Sequence, residues 1–99
     1  FMGSPAWAGF FTGNELLSRC NDNDDDVNWG SCFGYIAGVS DVLGTGAVIT
    51  GWKACAPENA TLGQIKDVVT LFLVNHPAER HLTAESFVAW ALSDAFPCP

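Results

Sequence analysis

The sequence predicts an all-α domain, a small antiparallel four-helix bundle stapled by two disulfides. Three observations lead there. Apolar residues recur at helical spacing in four separate segments. A capping residue or a breaker marks the ends of most of these segments. The 99-residue chain carries an even set of cysteines, Cys20, Cys32, Cys55 and Cys98, and in a small chain that reads as a disulfide framework.

The first segment is "TGNELLSRC". Thr12 and Glu15 have the spacing of a capping box, in which each side chain satisfies the other's free backbone N–H. Leu16, Leu17 and Cys20 then share a face. The run "NDNDDD" stops the helix, because Asn and Asp bond to backbone in turns. The second segment is "NWGSCFGYIAGVSDVLG", with Cys32, Tyr35, Ile36, Val39, Val42 and Leu43 at helical spacing and Gly44 as the stop. Gly30, Gly34 and Gly38 fall every fourth residue on the other side. Each costs a helix about 0.8–1 kcal/mol relative to alanine. The stripe is expected to seat another backbone, which makes this helix either central or part of a dimer seam, and Gly34→Leu is expected to be costly.

The third segment, "TLGQIKDVVTLFLVNHP", repeats the capping-box spacing at Thr61 and Gln64. Ile65, Val68, Val69, Phe72 and Leu73 keep the helical period without a miss. Pro77 disfavours helical geometry at His76, so the helix should end near Asn75. The fourth, "TAESFVAWALSDAF", takes Thr83 as its N-cap, with Glu85 favourable to the helix dipole and Pro97 as terminator. Val88, Leu92 and Ala95 form one apolar line beside Phe87 and Ala91.

Residues 12–99 form a single domain on this reading. Residues 1–11, "FMGSPAWAGFF", read as a tail. It has no basic n-region and is too short for a membrane span. The chain is therefore expected to be the mature form of an exported protein, with "MGS" resembling an expression scar.

Both histidines flank the corner "NHPAERH". Zinc would need two further ligands at matching spacing, and none is present. A general base would need a nucleophile and an orienting partner, and the chain has no G-x-S-x-G. His76 is better used to cap the carbonyl end of the third helix, with Arg80 and His81 closing the corner by hydrogen bonds. Nor do the aspartates at 22–26 make a calcium loop. In either register the glycine and the closing glutamate are missing. "NAT" at Asn59 fits a glycosylation sequon, which matters only in a eukaryotic secretory route. No catalytic residue, metal or cofactor is expected.

Eleven acids against four bases give a net charge of −7. Nucleic acid and anionic membrane both require a basic footprint and are excluded as partners. An acidic domain draws in basic ones. The long connection "GTGAVITGWKACAPENA" joins the second and third segments. Loops of that length carry either function or structure of their own. Trp52 is either a binding anchor or a core residue that folds back.

The order of features in "TGNELLSRC", "CFGYIAGVSD" and "CAPENATLGQIKDVVTLFLVNHPAERHLTAESFVAWALSDAFPC" resembles the Rap/Tai family of immunity proteins from type VI secretion systems. The match runs from Thr12 to Cys98. Its most specific parts are the "C-x-GYI-x-G" helix and the "T-x-GQ…HP-x-x-RH…FPC" tail. The resemblance implies a small helical protein of the bacterial periplasm that binds and blocks a cell-wall-degrading amidase effector, protecting the producing cell. It also implies an inhibitor rather than an enzyme, and possible homodimers, since several members of the family act as dimers. The short acidic first loop departs from the family pattern. The competing reading is an acid-stress periplasmic chaperone of the HdeA type. Two cystines and only four bases count against it, because acid unfolding is driven by accumulated positive charge.

In an up-down bundle the end of the first helix lies near the start of the second. The chain before the third helix likewise meets the chain after the fourth. Of the three possible pairings this favours Cys20–Cys32 with Cys55–Cys98. The candidate inhibitory surfaces are the 44–60 loop, with Trp52 and Lys53, and the 75–82 corner, with Glu79 and Arg80. The loop is favoured as anchor, and Asp24, Asp25 and Asp26 are expected to assist from the rim by drawing in a basic enzyme.

Overall fold

The computed structural model describes residues 10–99, so residues 1–9 of the expected tail lie outside the described residues. The fold is all-α: α1 (Gly13–Cys20), α2 (Asp26–Gly44), α3 (Leu62–Asn75), a single 3-10 turn (Pro77–Glu79) and α4 (Ala84–Ala95). Both expected disulfides are formed, Cys20–Cys32 and Cys55–Cys98, each with Cα atoms 4.9 Å apart.

The helix ends follow from their residues. Both halves of the Thr12–Glu15 capping box are present. Thr61 accepts from the Gln64 N–H at 3.1 Å. His76 caps α3 as expected, its Nδ1–H donating to the Phe72 carbonyl at 2.8 Å. Three caps differ from expectation. At Thr61 and Gln64 only the half of the expected capping box in which Thr61 accepts is formed. Thr83 occupies the N-cap of α4 but makes no side-chain cap bond; its hydroxyl pairs instead with that of Ser86 at 2.7 Å. Helix α2 starts two residues earlier than its apolar pattern suggests, because the Asp25 carboxylate accepts from the Val27 and Asn28 N–H groups at 2.9 and 3.1 Å.

The central helix is α4, not α2. Six of its twelve residues are buried: Ala84, Phe87, Val88, Ala89, Ala91 and Leu92. Only Cys32, Ile36 and Leu43 of the nineteen in α2 are buried. The expectation that Gly30, Gly34 and Gly38 seat a neighbouring backbone of the same chain is corrected. No described atom outside the helix lies within 4 Å of a Cβ built at any of the three. The stripe looks outward. Small residues that do permit close packing sit in α4, where Ala84, Ala89 and Ala91 are almost wholly buried.

Helices α3 and α4 pack as a hairpin closed at one end by the 3-10 corner and at the other by Cys55–Cys98. Helix α1 begins at the corner end. The Gly13 and Asn14 N–H groups donate to the Leu82 and Arg80 carbonyls, both at 2.9 Å, and the Ala84 N–H donates to the Phe11 carbonyl at 2.8 Å. Thr12 and Thr83 thereby form an isolated antiparallel bridge. The corner is thus closed by main chain: Arg80 takes the expected part through its carbonyl and through its N–H, which donates to the Pro77 carbonyl at 3.4 Å, whereas His81 does not. Among the described residues the buried Arg80 Nε has no hydrogen-bond partner, and His81 is exposed. Phe11, assigned to the tail, packs on the core, with its ring 5.4 Å from that of Tyr35 and under the Arg19 guanidinium at 4.5 Å.

Candidate functional site

The long 45–61 connection carries structure of its own. Thr45 and Gly46 close α2 with hydrogen bonds to Val42 and Leu43. Ile49 and Trp52 then exchange two backbone hydrogen bonds, at 2.9 and 2.8 Å, around Thr50 and Gly51. Both central residues have positive φ, 49° and 88°, as a type I′ hairpin turn requires. Glycine takes that conformation freely. Threonine, branched at Cβ, is strained there by about 1–3 kcal/mol. Further on, the Cys55 N–H donates to the Phe96 carbonyl at 2.9 Å, and the Cys55–Cys98 bond ties the loop to the end of α4.

This tight turn places the Trp52 indole against Trp90 of α4, with ring centroids 5.8 Å apart and planes 15° from parallel. Trp52 is 37% exposed. Both readings of this residue therefore hold together: it folds back, and it presents an aromatic face. The surface continues beyond it. Trp90 lies 4.7 Å from the Phe72 ring and 5.0 Å from the His76 ring, and His76 stacks on Phe72 at 3.9 Å. The two candidate surfaces, loop and corner, are thus joined through Trp90 and His76. Leu71 and Val74, 63% and 54% exposed, extend the apolar area on α3.

The other candidate residues are distributed differently. Lys53 follows Trp52 in the chain but borders a second hollow, of about 290 Å³, between the end of α2 and the start of α3, with Ser40, Leu43, Ile65 and Leu92. Glu79 and Arg80 sit at the corner, half-buried, and their main-chain groups hold it together. Asp24 and Asp26 are exposed, while Asp25 serves as the cap of α2. Asp22 accepts from Asn28 Nδ2 at 3.0 Å, and Asn28 accepts from Arg19 at 3.3 Å. Sequence reasoning passed over Trp90 and Phe72. Their signal was the aromatic series Phe72, His76, Phe87 and Trp90 on two consecutive segments, but period alone assigns such residues to the core.

The bases are not displayed as the acids are. The Lys66 ammonium lies 4.4 Å from the Trp29 ring centroid, with its side chain only 16% exposed. Arg19 covers Phe11, and the Arg80 guanidinium is partly buried. Of the four lysines and arginines, Lys53 alone is exposed. Among the described residues no acidic side chain is buried. The outer surface is therefore more uniformly negative than the net charge implies. Among the described residues no cluster of three or more His, Cys, Asp or Glu side chains could hold a metal ion, and no helix is long and apolar enough to cross a membrane.

These residues make a small, disulfide-tied helical domain with a packed aromatic surface and an acidic exterior. The chain belongs to the Rap1a immunity proteins: the model of that family matches residues 12–98. It is accordingly an immunity protein and not an enzyme, and its family implies inhibition of a cognate secreted effector. Searches of curated proteins and of solved structures find no match.

Proposed function

We propose that this immunity protein acts in the periplasm, where it binds and blocks a basic, cell-wall-degrading amidase delivered by type VI secretion. The observation that carries the reading is the held but accessible Trp52. Its loop is fixed by a two-residue turn, a disulfide and the Trp90 stack. Little conformational entropy is then lost on binding, which favours a tight inhibitor. The two disulfides support an oxidising compartment. The acid-weighted surface supports a basic partner.

Capture of secreted and periplasmic proteins on the folded domain identifies the effector. With it in hand, Trp52→Ala should raise the dissociation rate and weaken binding by about 2 kcal/mol, as removal of a central aromatic anchor does. If that variant binds as tightly as the parent while changes at Glu79 or Arg80 abolish binding, the corner is the anchor and the assignment reverses.

A further inference from the structure

Helices α3 and α4 enclose an open groove of about 420 Å³ beside the aromatic surface. Its depth comes from Ala91 and Ala95 on α4, where larger side chains would fill the space. Val68 and Leu71 form one apolar wall, and Phe72 and Trp90 supply aromatic rings. Three polar groups also line it: Asn75, His76 and Asp94. All three can accept hydrogen bonds. Asp94 forms no ion pair with any described residue. His76 Nδ1 faces the Phe72 carbonyl, which only accepts, so Nδ1 carries the proton. In the neutral ring Nε2 is then an acceptor. No lysine or arginine lines the groove.

We infer that this groove receives an arginine side chain of the partner protein. The inference rests on the reading of that partner as basic. Arginine is donor-only, planar and always charged, so it matches a lining of acceptors beside aromatic rings. Its methylene stem suits Val68 and Leu71, its plane suits the indole of Trp90, and Asp94 supplies the opposite charge. The protein already uses the same chemistry internally, with Arg19 over Phe11 and Lys66 over Trp29. A purely apolar occupant would leave the exposed Asp94 carboxylate at the groove's rim without a partner.

The test uses the intact, oxidised protein and capped Gly-Arg-Gly, Gly-Lys-Gly, Gly-citrulline-Gly and Gly-norleucine-Gly peptides, followed by two-dimensional ¹H–¹⁵N NMR. The arginine peptide should give a saturable shift of the Trp90 indole and of the Leu71 and Asp94 amides. The neutral citrulline and norleucine peptides should not, and the lysine peptide should bind more weakly. Asp94 is exposed, so Asp94→Asn should weaken the arginine peptide about two- to fivefold, as loss of a surface ion pair does, while leaving the rest of the spectrum unchanged. Equal binding of the lysine or norleucine peptide, no saturable response at these residues, or full binding by Asp94→Asn overturns the inference. The peptides report on the groove without the effector. Their failure leaves the immunity reading with Trp52 as its anchor, whereas a failed search for a basic effector leaves the peptide result standing.

Discussion

Gly13 opens α1 under the ring of Phe87. A Cβ there would lie 2.9 Å from Phe87 Cδ2 and 3.0 Å from the Arg80 carbonyl oxygen. Alanine normally favours a helix over glycine by about 0.8–1 kcal/mol. Here the backbone oxygen cannot swing aside, and Phe87 is fully buried. Gly13→Ala should therefore destabilise by about 1–3 kcal/mol, as overpacking does, with a lower midpoint in chemical denaturation. Tyr35, the chain's single tyrosine, gives a second residue-scale test. Burial, and then the nearby Glu85 carboxylate, push its hydroxyl up to about 12; the two groups hydrogen-bond at 3.4 Å. The folded state holds this proton more tightly than the unfolded chain, whose tyrosine ionises near 10. The stabilisation is complete below pH ~10 and disappears as pH rises through about 12. Ultraviolet titration of the folded protein should show phenolate forming well above pH ~10. Tyr35→Phe should flatten the alkaline loss of stability, and a midpoint at the ordinary tyrosine value would contradict the burial of Tyr35 beside Glu85.

At the scale of elements, α2 and α4 exchange the roles their sequences suggest. The glycine stripe of α2 faces open space, so helix propensity decides the effect of a side chain there. Gly34→Ala should stabilise the fold by about 0.8–1 kcal/mol, readable as a higher denaturation midpoint. Gly34→Leu therefore lacks the heavy cost that a packed stripe would impose. A stability loss that grows with protein concentration would instead place a second copy on this face. The two disulfides act on different elements. Cys20–Cys32 closes a separation of 12 residues and fixes α1 to α2, whereas Cys55–Cys98 closes 43 and holds the loop bearing Trp52. Loop-closure entropy gives about 3 and 4 kcal/mol respectively, so the larger staple lies beside the candidate binding surface.

Over the whole molecule, the arrangement of charge matters more than its sum. Three of the four bases are engaged with aromatic rings or partly buried, at Arg19, Lys66 and Arg80, while Asp24, Asp25 and Asp26 stand at the surface. Such a field acts on encounter rate more than on the lifetime of a complex. Replacing Asp22, Asp24, Asp25 and Asp26 with asparagine should slow association with the effector and flatten its salt dependence, leaving dissociation nearly unchanged. Stopped-flow measurements at several ionic strengths read both quantities. Asparagine is as good a helix N-cap as aspartate, so the change at Asp25 should leave α2 in place. A large rise in the dissociation rate would show that the aspartates touch the partner directly.

The sequence by itself determined the four helices, the Thr12–Glu15 box, the His76 cap, both cysteine pairings and the family. These depend on local spacing, on nearby caps and breakers, and on the few ways short connections can return a chain, all of which are written along one dimension. Only the tertiary structure decided which helix is central. A glycine stripe marks close packing or open space equally well until its neighbours are placed, and the alanines of α4 gained their burial from three surrounding helices. The clamp of Gly13 and Asn14 on Arg80 and Leu82 joins segments far apart in the chain, so no local pattern records it. The union of Trp52, Trp90, Phe72 and His76 into one surface is likewise non-local. Each ring obeys its own helix or turn, and the packing of α3 on α4 brings them within contact.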